Sequence, residues 1–119
     1  MAVFNPQRHL PLTPAMFQVL LALADGEKHG YAIIKEVSRR TEGKVTLRAG
    51  TLYTAIKRFV ADGLIEESSE RPDPALDDER RRYYRLTPHG RAVAVAEADR
   101  LAEAVAHARV KLSLGRRKA

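Results

Sequence analysis

The chain is expected to be a mainly α protein with a small β-hairpin, an α+β arrangement, and three observations carry that expectation. Two Thr-Pro pairs, Thr13-Pro14 and Thr87-Pro88, each introduce a long run of helix-forming residues. A third run, opened by Gly50-Thr51, has apolar residues on one side and stops at Gly63. Two short β-type runs, Leu64 to Ser68 and Arg81 to Leu86, flank a loop that contains Pro72 and Pro74 and has no apolar period.

The first helix is expected from Pro14 to about Asp25. Thr13 can accept hydrogen bonds from the first amides, and Pro14 suits a position whose N–H has no partner within the helix. Met16, Val19, Leu20 and Leu23 share one face, and Phe17 and Leu21 widen the stripe beyond what one small core needs. Part of that stripe is therefore expected to meet another chain. Asp25-Gly26 ends the helix, and a second is expected from His29-Gly30-Tyr31 to about Thr41, with Ile33, Ile34 and Val37 buried. His29 reads best as a polar residue opening that helix.

Glu42-Gly43 breaks the pattern. Val45-Thr46-Leu47 is a β-type run too short to stand alone, so it is expected to pair with a later strand. The third helix spans Gly50 to Asp62. At about 100° per residue, Leu52, Ile56, Phe59 and Val60 fall on its inner side, with Thr54, Lys57, Arg58 and Ala61 roughly opposite. Gly63 can take the left-handed conformation that closes a helix, and Leu64-Ile65 starts the hairpin. Three helices followed by a hairpin is the order of a winged helix-turn-helix.

A fourth helix is expected from Thr87 to about Leu114, about 40 Å at about 1.5 Å per residue. Ala94, Ala98, Leu101, Val105, Ala108 and Leu112 recur at alternating spacings of four and three, a seam suited to packing against another helix. The alternative is a helix that folds back on its own domain, but a chain of 119 residues has little else to cover so long a stripe. The expected organisation is thus a winged helix-turn-helix domain over 10–86, a dimerisation helix over 87–114, and flexible ends at 1–9 and 115–119.

Composition narrows the function. With no cysteine there are no disulfides, thiolate metal sites or cysteine nucleophiles. No apolar run approaches the ~20 residues that cross a bilayer and no signal peptide is visible, so a soluble, cytoplasmic protein without membrane association is expected. The formal net charge is +6, and it is unevenly spread: residues 1–63 carry nine basic and five acidic side chains, 64–79 one and seven, 80–119 eleven and three. Two basic segments separated by an acidic insert suggest an anionic partner.

Catalytic chemistry has little support. His9, His29, His89 and His107 fall in four different segments, and no HExxH, GxSxG, Walker loop or GxGxxG is present. Asp73, Asp77, Asp78 and Glu79 lack calcium-loop spacing and sit in a Pro-containing loop, which reads as solvated surface more readily than as a metal site. Neither an enzyme nor a bound cofactor or metal is expected.

Duplex DNA fits the third helix. A helix entering the major groove needs short polar residues near its start and long basic ones further on, which is the order of Thr51, Thr54, Lys57 and Arg58. Tyr53 could pack, place its hydroxyl on a phosphate, or read a base, and Arg58 could read guanine or neutralise phosphate. Arg80, Arg81 and Arg82 would bring the root of the wing toward the DNA backbone or minor groove, while its acidic tip stays away. A winged-helix adaptor that docks an acidic protein without touching DNA is the alternative.

His29-Gly30-Tyr31, Gly50-Thr51-Leu52-Tyr53, Gly63-Leu64-Ile65 and Arg82-Tyr83-Tyr84-Arg85-Leu86-Thr87-Pro88-His89-Gly90, in that order, resemble the PadR-type winged-helix transcriptional regulators. The resemblance runs from Leu12 to the last helix and is similar to the short-tailed branch, with one C-terminal helix. It implies a homodimer held by the N- and C-terminal helices that binds a pseudo-palindromic operator and represses transcription. It also implies release by a small aromatic effector near the dimer interface; Phe4, Phe17 and Tyr31 could line such a space, although aromatic residues on these elements more often serve ordinary packing. Thr51, Leu52 and Tyr53 occupy the helix-opening motif, and Arg82, Tyr83 and Tyr84 the second wing strand. Many members have proline after the tyrosine, whereas this chain has Thr54, which adds an N–H and an outward hydroxyl.

Overall fold

The computed structural model describes residues 3–68 and 82–112. Its elements are a 3-10 helix (Pro6–His9), α1 (Pro14–Ala22), β1 (Lys28–His29), α2 (Gly30–Arg40), α3 (Ala49–Ala61), β2 (Ile65–Glu67), β3 (Tyr83–Leu86) and α4 (Pro88–Leu112). The three strands form one antiparallel sheet in the order β1-β3-β2. Helices α1 to α3 and the first part of α4 enclose the core, and the sheet closes one side of it.

Local chemistry accounts for the helix boundaries. The Thr13 hydroxyl accepts from the Met16 amide at 3.1 Å, and His29 Nδ1 accepts from the Ala32 amide at 3.1 Å. The end of α3 is a Schellman turn: Gly63 has φ +77°, its amide donates to Val60 O at 3.1 Å, and the Leu64 amide donates to Phe59 O at 2.8 Å. The buried Phe59 and Leu64 supply the apolar contact such a turn favours. Helix α2 closes in the same way, with Gly43 N donating to Ser38 O, but Glu42 occupies the left-handed position at φ 54°.

Thr87 joins two elements. Its hydroxyl donates to Gly63 O at 2.6 Å and accepts from the Gly90 amide at 3.0 Å, while its own amide donates to Leu64 O at 3.1 Å. The start of α4 is thereby fixed to the end of α3. Gly90 completes the joint, because a Cβ there would lie 2.0 Å from the Leu64 carbonyl oxygen.

Several expectations are corrected. The strand that completes the sheet is Lys28–His29, paired with Tyr84 and Tyr83, and the 45–47 run forms no strand. The Thr41 hydroxyl donates to Val37 O at 2.8 Å and accepts from the Val45 amide at 3.1 Å, which takes that N–H from any ladder, while Leu47 turns into the core. Val60 is 44% exposed, and Ala55, on the other edge of the stripe, takes an inner position in its place. Residues 3–9, expected within a flexible end, form a folded strap. Asn5 caps the 3-10 helix, and Phe4 stacks on His89 with ring centroids 3.8 Å apart and planes 1° from parallel. The other expected end, 115–119, lies outside the described residues, as does the loop carrying Asp73, Asp77, Asp78 and Glu79.

Among the described residues, Glu97 is the one acidic side chain in the core, 1% exposed. It accepts from the Leu12 amide at 3.0 Å and from Arg100 Nε and Nη2 at 2.6 and 2.9 Å. The paired Arg100 bonds hold its carboxyl below the usual carboxylate range against the opposing effect of burial, helped by the Leu12 amide. Beyond it α4 leaves the core. Ala98 to Leu112 are exposed apart from the half-buried Ala108, and Leu101, Val105, Val110 and Leu112 carry their apolar side chains into open surface.

Candidate nucleic-acid interface

Leu52, Ala55, Ile56 and Phe59 bury one face of α3, and this fixes what the opposite face presents. Thr51, Thr54, Lys57, Arg58 and Ala61 are all exposed. The helix opens on Arg48, whose side chain makes no capping bond, followed by Ala49, Gly50 and Thr51. A Cβ at Gly50 would meet nothing within 4 Å. The start of the outer face is therefore shallow, and another backbone can approach it closely.

Tyr53 is half-buried. Its hydroxyl sits so near Gly30 that a Cβ there would come within 2.2 Å of it. This single contact ties the His29-Gly30-Tyr31 and Gly50-Thr51-Leu52-Tyr53 segments together: the glycine opens α2 tightly because the tyrosine ring occupies the space beside it. Of the readings open for Tyr53, packing is the one the geometry displays, and its other edge lines a groove between α3 and the sheet.

That groove, about 350 Å³, is lined by Tyr53, Thr54, Ile56, Lys57, Val60, Glu67, Arg82 and Tyr84. Arg82 enters the wing strand at the root, with Nε 3.5 Å from Glu67 Oε2. Lys57 and Arg82 thus border one space from two elements, which brings part of the expected wing cluster beside the outer face of α3. Arg80 and Arg81 lie outside the described residues. The wing strands are tied by Arg85 Nε to Glu66 Oε2 at 2.8 Å, and His29 meets the Tyr83 ring edge-on at 5.4 Å.

On the other side of α3 is a second cavity, about 220 Å³, formed by Arg8, His9, Leu10, Pro11, Leu12, Met16, Arg58, Phe59 and Asp62. Sequence reasoning gave Arg8 no role. The strap brings it here, and only the placement of residues 3–9 reveals it. Glu97 was missed too, although Gly90, Val93, Ala94 and Glu97 recur at the spacing of one buried helical face.

The expected dimer residues divide. Ala94 is buried in the chain's own core, where it packs as part of that same face, so it cannot serve a partner. Phe17 and Leu21 are half-buried, and Ala98, Leu101, Val105, Ala108 and Leu112 lie on the projecting part of α4. Phe4, Phe17 and Tyr31 line neither cavity beside α3; Tyr31 is exposed, with Lys35 Nζ 5.3 Å above its ring. Among the described residues, no group of three or more His, Cys, Asp or Glu could hold a metal, and no helix is long and apolar enough to cross a membrane.

The family model described as "Transcriptional regulator PadR-like family" matches residues 19–96. A transcriptional regulator of Mycobacterium tuberculosis is 40% identical over 85 residues, which cover 71% of this chain and 73% of that one. The structure of a Clostridium thermocellum transcriptional regulator superposes with a TM-score of 0.64 at 25% identity, covering 85% of this chain and 92% of that one. Bacillus subtilis PadR, solved in complex with operator DNA, superposes with a TM-score of 0.59 at 21% identity over 76% of this chain and 48% of its own. With the winged-helix order of elements, the close approaches at Gly30 and Gly90 and a family match across most of the chain, the protein belongs to the PadR-like family of transcriptional regulators.

Proposed function

We propose that the protein is a homodimeric, operator-binding repressor that reads DNA with the outer face of α3. The observation that carries this reading is the make-up of that face: Thr51 and Thr54 exposed near a shallow helix start, Lys57 and Arg58 exposed further along, and Arg82 bordering the same groove as Lys57. Short residues near the start let a helix sink into the major groove, and the long cations then reach phosphates or base edges. The wing root with Arg80, Arg81 and Arg82 adds backbone contacts.

Dimerisation is supported by the projecting half of α4, where Ala98, Leu101, Val105, Ala108 and Leu112 form an apolar line that the described residues of their own chain leave largely uncovered. Phe17 and Leu21 on α1 extend the surface a partner would cover. A twofold pairing through this helix places two α3 helices on a pseudo-palindromic site, with half-sites about one helical turn apart. Release by a small aromatic compound would act at that interface, and titrating the operator complex with a panel of phenolic acids tests it.

The deciding experiment is Lys57→Ala with Arg58→Ala, assayed by gel retardation on an operator selected from genomic DNA. Loss of two cations per protomer is expected to weaken binding about 100-fold near physiological salt and to flatten its salt dependence. Unchanged DNA binding by a folded, dimeric double variant would place recognition elsewhere. Wild-type protein that retards no DNA yet captures an acidic protein would make it an adaptor.

A further inference from the structure

Lys57 and Arg58 are adjacent in sequence but diverge by about 100° around α3, so they serve opposite flanks of it. Lys57 borders the groove shared with Arg82 and the wing. Arg58 borders the cavity shared with Arg8 and the strap. Each flank of the helix therefore carries one cation of its own and one delivered by a different part of the chain.

A helix in the major groove has a phosphodiester strand along each side, and contacts to these strands set its register without reading bases. The wing supplies the outside cation for one strand. We propose that Arg8, held by the folded strap, supplies it for the other, so that Arg8 and Arg58 clamp a backbone phosphate on the side of α3 away from the wing. This rests on the DNA-binding reading of α3 and names a contact that reading does not contain.

Two features fit the assignment, and a third limits its strength. Arg8 is exposed and lies in the last turn of a 3-10 helix, so its guanidinium is carried on a fixed backbone and not on a loose tail. The strap is anchored by stacking: Phe4 lies on His89 at the start of α4 and on His9 within the strap itself. The cavity between the two arginines also has Asp62 on its wall, an acidic group that opposes an incoming phosphate and restrains the strength of the clamp.

The test uses full-length protein and an operator duplex recovered by wild-type selection from random-sequence DNA. Affinity and its salt slope are measured for wild type, Arg8→Ala, Arg8→Lys, Arg58→Ala, the Arg8→Ala/Arg58→Ala double variant and Asp62→Asn. Arg8→Ala is expected to weaken binding about fivefold, equally across operator variants, and to lower the salt slope by about one for each phosphate no longer neutralised. Arg8→Lys should recover most of the affinity, Asp62→Asn should tighten binding, and the double variant should lose less than the product of the single losses because the two side chains share a phosphate. Arg8→Ala within twofold of wild type, with Arg58→Ala clearly weaker, would overturn the clamp and leave the reading of α3 standing. A wild-type protein that binds no duplex in a salt-dependent way would remove both.

Discussion

The two halves of α4 have similar alanine-rich sequences and opposite surroundings. From Pro88 to Glu97 the helix is part of the domain: Gly90, Val93, Ala94 and Glu97 are buried, Gly90 against Leu64 and Leu86, and Glu97 against the Leu12 amide. From Ala98 to Leu112 the described residues of the chain leave it largely bare, and Leu101, Val105 and Leu112 are 37%, 50% and 66% exposed. Apolar spacing alone does not distinguish the halves, since Ala94 and Ala98 belong to the same seam. What distinguishes them is reach: the folded domain extends along the helix as far as the Glu97 carboxylate, which takes the Leu12 amide, and little further. A seam read from sequence can thus begin inside the folded domain and continue onto open surface.

Substitutions can break this contrast, and the largest effect is expected in the inner half. Gly90→Ala places a methyl group against the Leu64 carbonyl, a backbone group that already accepts from the Thr87 amide and cannot yield cheaply. It should cost roughly 3–5 kcal/mol of folding free energy in urea denaturation, without any change in the seam. In the outer half the readout changes kind. Leu101→Asp with Val105→Asp should leave helicity and the monomer's fold intact, abolish dimers in sedimentation analysis, and weaken operator binding by about 100-fold through loss of the linked second half-site. If the doubly charged variant remains dimeric, the outer half is not the interface.

The smallest effect sharpens the boundary itself. Glu97→Gln keeps an acceptor for Leu12 but loses the charged bonds to Arg100, and should cost about 2 kcal/mol. Because the folded carboxyl is held below its ordinary value, its contribution is fully present above the unfolded pKa of about 4.3 and is lost as pH falls through the lower folded value. Urea midpoints measured from pH 6 to pH 3 should therefore fall more steeply for wild type than for Glu97→Gln. Parallel curves would mean that Glu97 does not titrate as its surroundings require.

What was legible in the sequence was mostly local. Thr13, Gly63 and Thr87 announce helix boundaries because caps and left-handed turns are made by residues a few positions apart. The exposed face of α3 followed from a single amphipathic period, apart from Val60 at the edge of the stripe. The third strand was not legible, because Lys28–His29 gains its partner from Tyr83 and Tyr84, more than fifty positions away, while the more β-like Val45 had its backbone taken by Thr41. Arg8 was hidden for a similar reason: it joins the face of α3 only through a stack between Phe4 and His89, which lie far apart in the chain.

The Thr87 joint gives α4 a metrical role. With the residue that caps it bonded to the turn that closes α3, the helix cannot swivel independently of the outer face of α3. In the proposed dimer, the stretch between Glu97, where the core ends, and Leu101 then works as a ruler: each residue added or removed there moves the partner by about 1.5 Å and turns it by about 100°. A one-residue deletion there would leave two folded heads and a sound seam, yet set the pair of α3 helices out of phase with the turns of a duplex. In that dimer, operator spacing would be written in the length of a helix placed away from the bases.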